Sequence, residues 1–486
     1  MDLYFSDYFD VDPKVVEDYG AFDINLVSDL PLFVDPFLLF HSKKPEYQAL
    51  HQDIIKYLVF LRDKASPDLE TALINSWYRF KEVKQNWLGF TYLGNEGSGL
   101  GAKFAKALHG SLGSILGTFG EEKITKGSHL EKLTLIKGGV GRDNISDFTT
   151  NLIKGYLLDY TEKFAADHLS AEQRQSFAIT RAIFNFGTEA WETRSYDLPH
   201  RNNDFVLLTP ADMLTRDDTW ISHSDMIKNF HRLPEAVSDD QLRAQINNYF
   251  ASLLSKKPTT KERAEAAQRT IFKFPDLVDY YIRAREDSGD HAVGVSEKRR
   301  EDTHELLVKM VRDVIADIEA RGTLYGSRVT SYEEALARVL GFKQYVENQD
   351  GYKLINKSGR TKQFSNEHDV QLFFGVILFG SEFDVNREVN NGRGPVDFKM
   401  SKGSIDKTLI EFKLASGSAL KRNLEKQVAI YEKANGTRKS VKVIICYTAA
   451  DQKKVARVLK DLNLQNEEAV VVIDARSDNK PSASKA

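Results

Sequence analysis

Residues 392–431 constrain the chain more than any other stretch. Two short β-prone runs, 396–400 and 408–414, flank Lys402-Gly403-Ser404, a turn-forming triplet. A strand period of two puts Glu411 and Lys413 on one face, with Ile410 and Phe412 on the other. A hairpin register can bring Asp397 beside Glu411. Two adjacent carboxylates repel, and they stay ionised together most cheaply around a divalent cation. A lysine two residues along can hold a water or a scissile phosphate without displacing that ion. This is the chemistry of phosphodiester hydrolysis: the metal lowers the pKa of a bound water, and the lysine offsets charge in the transition state. Ser418 is expected to cap a following helix through Leu420, Leu424 and Val428. Gln427 and Tyr431, four apart, share a face of it.

The ordered set Gly394-Pro395-Val396-Asp397, Glu411-Phe412-Lys413, and Gln427 to Tyr431 resembles the PD-(D/E)xK nuclease superfamily, in the branch that includes RecB and lambda exonuclease. The resemblance covers about the last third of the chain. It implies that Asp397 and Glu411 bind Mg²⁺ or Mn²⁺, with the Phe412 carbonyl as a third ligand. It also implies that Lys413 assists catalysis and that Gln427 and Tyr431 touch substrate or organise the site. The family usually adds an acid from the preceding helix, and Glu367 is the candidate here. A rival registration takes Asp397-Phe398-Lys399 as the motif, with Asp384 or Glu388 upstream, but leaves Glu411, Lys413, Gln427 and Tyr431 without a role. The plain alternative makes Asp397 and Glu411 surface charges on two ordinary strands.

At 486 residues, with 41% hydrophobic and 28% charged content, the chain is long enough for two or three domains with real cores. Its single cysteine, Cys446, excludes a disulfide framework and fits a reducing compartment. It also excludes the four-cysteine iron–sulfur cluster of some relatives of this nuclease branch. The N-terminus lacks the basic region of a signal peptide, and no stretch reaches transmembrane length, so a cytoplasmic place with no membrane contact is expected. The histidines do not cluster at zinc-ligand spacing. From Ser331 onward there are 26 Lys+Arg against 20 Asp+Glu; the rest has 41 against 50. The basic excess between Lys402 and Lys442 suits a phosphate-binding face.

The expected organisation is a large, mainly helical α+β N-terminal region (1–290), a linker and long amphipathic helix (291–330), an α/β nuclease-like domain of mixed sheet flanked by helices (331–476) and a disordered tail (477–486). In the first region, residues 27–36 read as extended. Asp23, Asp29 and Asp35, six apart, either line a polar site or serve local turns. Helical patterns cover 46–63 and 67–83, and 88–93 reads as a short strand. The glycine-rich 94–103 lacks the Gly-Lys-Ser/Thr of a Walker A loop, so ATP hydrolysis is not expected. A helix over 102–119 precedes a glycine loop with Arg142, Asp143 and Asp147, a candidate second site, where Ser146 or Asp147 would cap a helix 147–164. Further helices are expected at 170–181 and across 239–286, with a strand over 204–209 closed by Pro210. Residues 286–300 read as a linker or hinge, followed by a helix 296–321 with an apolar face. The N-terminal region resembles bacterial proteins to which no activity is attached.

In the last domain the expected order is helix 332–340, a small hairpin at 352–360, helix 366–379, strands 383–389, 396–400 and 408–414, helix 419–434, strand 441–447, helix 450–462 and strand 469–473. The function expected from this order is a Mg²⁺- or Mn²⁺-dependent nuclease acting on DNA. Its architecture resembles bacterial restriction and anti-phage effectors, in which the N-terminal region answers to a partner protein or a second copy of the chain. The alternatives are a nucleic-acid-binding scaffold with an inactive nuclease-like domain, and an RNA or tRNA nuclease.

Overall fold

The computed structural model describes residues 3–27, 29–89, 105, 108–109, 119–136, 142–216, 218–309, 311–313, 330–348, 351–356, 367–379, 381, 383–390, 395–403, 406–427 and 439–480. Strand β1 (Leu32–Val34) leads into helix α1 (Pro36–His41), which Asp35 caps by accepting the Phe37 N–H at 3.0 Å. Helix α2 (Pro45–Lys64) buries Tyr47, Ile54, Ile55, Leu58 and Leu61, the stripe its 3.6-residue period predicts. Helices α3 (Arg142–Leu152) and α4 (Lys154–His168) follow almost end to end. A long antiparallel hairpin, β2 (Arg174–Asn185) and β3 (Ala190–Arg201), packs on α4 and takes β4 (Asp204–Phe205) as a short third strand. Strand β5 (Leu214–Arg216) returns to pair antiparallel with β1. Helices α5 (Asp240–Ser252), α6 (Thr260–Lys273) and α7 (Leu277–Asp287) form a smaller cluster around Trp220, Ile246, Ile271 and Tyr281. Helix α8 (Gly289–His304) lies along β5 and runs into a π-helical turn, Glu305–Lys309.

The C-terminal region begins with α9 (Ser331–Asn348) and α10 (Glu367–Phe379). Its five-stranded sheet comprises β6 (Asp384–Asn390), β7 (Pro395–Lys402), β8 (Asp406–Leu414), β9 (Ser440–Cys446) and, after helix α11 (Ala449–Asp461), β10 (Val470–Asp474). The spatial order is β10-β9-β8-β7-β6; β6, β7 and β8 are antiparallel, while β9 and β10 run parallel to β8. One face, with Phe398, Ile410, Phe412, Val443 and Ile445, packs on α9 and α10. The other, with Ile444 and Cys446, packs on α11. Helix α10 buries Val370, Phe373, Phe374, Ile377 and Leu378, spaced i, i+3, i+4, i+7, i+8, and Phe374 meets Phe412 at 4.6 Å between ring centres. Each buried phenylalanine is worth about 1.5–3 kcal/mol over exposure. A one-residue slip of β8 would exchange that gain for Glu411 and Lys413 in the core, so the apolar face fixes the register of the charged one.

Several expectations are corrected. Residues 170–181 are not helical: one 3₁₀ turn, Ala171–Gln173, opens with a Ser170/Gln173 capping box, and the chain then enters β2 because β3 offers it a twelve-residue partner strand. The 67–83 helix is confined to Thr71–Trp77. The α3 helix starts at Arg142, so Ser146 sits inside it and accepts the Val34 N–H at 3.0 Å instead of capping. Residues 352–355 form a helical turn, not a hairpin. Residues 289–300 are helix, not hinge: α8 buries Gly289, Ala292, Ser296 and Thr303, small side chains that carry no strong hydrophobic signal. The helix after β8 is capped at Ala419 without a side-chain bond, so Ser418 is not its cap. Residues 477–480 are not a free tail, since Asn479 and Lys480 bond back to Asp474. The expected strand beyond Gly89, the glycine-rich 94–103, most of 102–119, and the stretch 314–329 lie outside the described residues.

Asp23 and Asp35 serve local structure. Asp23 accepts Ser6 N–H and O–H and pairs with Arg312 at 3.1 Å, while Asp35 accepts the N–H groups of Phe37 and Trp220. Asp29 is buried. Among the described residues no helix is long and apolar enough to cross a membrane.

Candidate active site

Partners in the β7–β8 ladder run from Phe398↔Ile410 to Lys402↔Asp406, with Gly403 at φ +69° in the turn between them. Continued one step past Phe398, the register sets Asp397 directly opposite Glu411, on the face away from α10. Asp397 Oδ2 accepts the Phe412 N–H at 2.6 Å, which ties the carboxylate to the strand that carries the other acid. Lys413, two residues beyond Glu411, returns to the same face. Its Nζ donates to the Phe412 carbonyl at 2.8 Å and lies 3.7 Å from Glu411 Oε2 and 3.9 Å from Asp397 Oδ2.

These are not solvated surface charges. The side chains of Asp397, Glu411 and Lys413 are 15%, 8% and 16% exposed. The structure therefore departs from the reading in which two acids simply decorate the outer face of a sheet. The Lys413 ammonium stands among three oxygens: one from Asp397, one from Glu411 and the Phe412 carbonyl. Hard anionic and carbonyl oxygens converging from two strands are the donor set a magnesium or manganese ion takes, and a cationic group already lies among them. The residues thus fit the metal that the resemblance implies, which Asp397, Glu411 and the Phe412 carbonyl would hold; among the described residues no third acid, histidine or cysteine joins them.

Glu367 is the first residue of α10, and Gln427 ends a π-helical turn, Asn423–Gln427. The side chains of both, and the whole of Tyr431, lie outside the described residues. For the rival registration, Asp384 pairs with Ser401, four residues along from Asp397 and roughly 13 Å away at strand rise. Glu388 differs. The pairs Arg387↔Phe398 and Val389↔Val396 bracket it, so backbone register sets it abreast of Asp397.

In the sequence Lys442 marks only the edge of the basic stretch and has no role at the site. It pairs with Glu411 in the parallel β8–β9 ladder, hence on the same face. Its one signal is a lone lysine within the apolar run 441–446, and only the parallel pairing shows which residue it faces.

The second candidate site is resolved in part. Arg142 lies over the Phe33 ring at 5.1 Å. Burial raises the Asp143 carboxyl, and Asp147 is pushed up to about 7 by burial, then by the nearby Glu82 and Asp143 carboxylates. The glycine loop before them lies outside the described residues.

Residues 10–222 match a family model described as a domain of unknown function (DUF8370), and residues 331–449 match another described in the same words (DUF8371). No curated protein and no solved structure matches the chain.

Proposed function

We propose that the chain is a metal-dependent nuclease of the PD-(D/E)xK kind, hydrolysing DNA phosphodiester bonds from the Asp397/Glu411/Lys413 centre. The observation that carries this reading is the convergence of two carboxylates and a main-chain carbonyl on the Lys413 ammonium, at the end of a strand pair in a mixed sheet flanked by helices. A bound Mg²⁺ or Mn²⁺ supplies Lewis acidity and an acidified water there. Asp397 and Glu411, on two adjacent strands, would hold that ion, and the bond from Phe412 N–H fixes the angle of Asp397. Lys413, whose ammonium lies beside these oxygens, would supply the positive charge that offsets the negative charge of the transition state on the phosphate. Lys442, abreast of Glu411, adds a second positive charge along the path of the backbone. Glu367, Gln427 and Tyr431 complete the constellation in the roles the motif gives them. The N-terminal region restrains or directs the nuclease in a defence role, in the cytoplasm.

The test is cleavage of circular and linear DNA, single- and double-stranded, with Mg²⁺, Mn²⁺ or EDTA. Metal-dependent loss of linear DNA alone marks an end-dependent exonuclease; cutting of circles marks an endonuclease. Full activity in both Asp397→Ala and Lys413→Ala would sink the assignment.

A further inference from the structure

The N-terminal region holds a cavity of about 500 Å³ between residues 75–85, the start of α4 and the bulged part of β2. Four cationic residues line it, Arg79, Lys81, Lys154 and Arg181, against one acid, Glu82. Two of the four are held in the wall. Lys154, 8% exposed, opens α4 and donates to the Thr180 carbonyl at 3.1 Å. Arg181 sits in the bulge. There the ladder runs Ile179↔Arg194 and then Ile183↔Glu192, so Thr180, Arg181 and Ala182 stand opposite Thr193 alone. Bulges of this sort re-aim a side chain. Arg181 also has φ +57°, a left-handed conformation that a side chain other than glycine's adopts only under constraint. Its guanidinium lies 4.9 Å from the Trp191 ring and 5.3 Å from Phe80, and its Nη2 is buried without a hydrogen-bond partner among the described residues. Close packing holds the bulge to α4: a Cβ on Gly155 would meet Ile183 Cγ1 at 2.5 Å.

Among the described residues neither Lys154 nor Arg181 has a carboxylate partner. Burial lowers the pKa of both, and the charge of Arg181 lowers Lys154 further, to about 8. Two desolvated cations that repel each other are an unfavourable arrangement in a fold with nothing bound, and a shared anion reverses the sign of the interaction. A planar guanidinium beside an ammonium suits phosphate oxygens. Four cations to one acid favour a ligand with more than one negative charge. The volume falls in the range of small-molecule sites.

We propose that this cavity binds a phosphate-bearing small molecule of mononucleotide size, with Lys154 and Arg181 holding the phosphate. The site is independent of the nuclease reading, and its test is run on the full chain in EDTA, so that phosphate affinity at the C-terminal centre is silent. Calorimetric titration uses inorganic phosphate, pyrophosphate, adenosine monophosphate and a single-stranded oligonucleotide. Pyrophosphate or the mononucleotide binds at one saturable site, and Lys154→Met and Arg181→Gln each weaken it roughly ten- to hundredfold, the loss of one charged hydrogen bond. With no ligand, Lys154→Met melts at or above the wild-type temperature, because an unpaired buried cation has been removed. Three results overturn the proposal: no phosphate-bearing probe binds, both variants bind undiminished, or Lys154→Met melts far below the wild type, which makes the lysine a structural residue. Binding confined to the oligonucleotide and growing with its length also overturns it, in favour of a nucleic-acid groove.

Discussion

The two charged sites of this chain are opposites. In the C-terminal sheet, Asp397, Glu411 and the Phe412 carbonyl gather around one ammonium, so the trio is rich in oxygen donors. In the N-terminal cavity, Lys154 and Arg181 lie together without a carboxylate partner among the described residues, so that site is rich in cations. One arrangement suits a metal ion and the other an anion. The difference also lies in how each is held. The C-terminal trio follows from strand register alone, whereas the N-terminal pair depends on a bulge, a left-handed arginine and a glycine that lets α4 approach.

The largest expected effect breaks the first site. Lys413→Ala lowers DNA cleavage by roughly a hundred- to a thousandfold, as loss of a charge-stabilising group does elsewhere, with unfolding by urea unchanged to show that the fold survives. Next comes a buried cation that does have its partner. Arg338 is 2% exposed, bonds Glu334 Oε1 at 2.7 Å and reaches the Ile377 carbonyl, joining α9 to α10. Arg338→Met strands Glu334 in the core and destabilises by about 3–5 kcal/mol, read from the urea midpoint. Lys154→Met, by contrast, leaves no acid stranded, and the same measurement finds little loss. A destabilisation of equal size in both would erase the distinction between a paired and an unpaired buried cation.

The same comparison shows what the sequence makes legible. The pairing of Asp397 with Glu411 was readable because strand alternation and a short turn leave one register that buries Ile410 and Phe412. Lys442 was not readable, since a parallel neighbour comes from elsewhere in the chain and no local pattern sets its register. The strand at 174–185 was hidden for a related reason: its opening residues favour a helical turn, which does form, and only the β3 partner converts the rest. Helix α8 was hidden because its buried face is made of Gly289, Ala292, Ser296 and Thr303; a Cβ on Gly289 would meet His41 at 2.2 Å. The N-terminal cavity was invisible because the bulge that aims Arg181 leaves no mark in composition.

Two smaller effects sharpen the contrast. Mn²⁺ in hundredfold excess over its dissociation constant stabilises the chain by about 2–3 kcal/mol. Glu411→Gln loses that gain, whereas Lys154→Met keeps it; thermal melts with and without Mn²⁺ read the difference. Asp147 gives an effect confined to a pH window. In the unfolded chain this carboxyl ionises near pH 4, within about a unit, and in the fold it keeps its proton to about pH 7. The folded protein therefore binds the extra proton across that window, and stability falls as pH rises through it, then levels off. Asp147→Asn removes this decline: it matches the wild type below about pH 4 and is the more stable of the two at about pH 8. Urea midpoints at the two pH values check it, and an asparagine variant that is weaker at both would place a needed hydrogen bond on the carboxylate.

The most direct test of the central claim compares the wild-type chain with Lys413→Ala and Asp397→Ala, measuring Mn²⁺ binding and cleavage of linear DNA in the same samples. The predicted result separates the roles. Wild type binds Mn²⁺ and cuts, Lys413→Ala binds Mn²⁺ at least as well and does not cut, and Asp397→Ala does neither. A wild-type chain that neither binds Mn²⁺ nor cuts, or a Lys413→Ala variant that cuts as fast as wild type, would contradict the account.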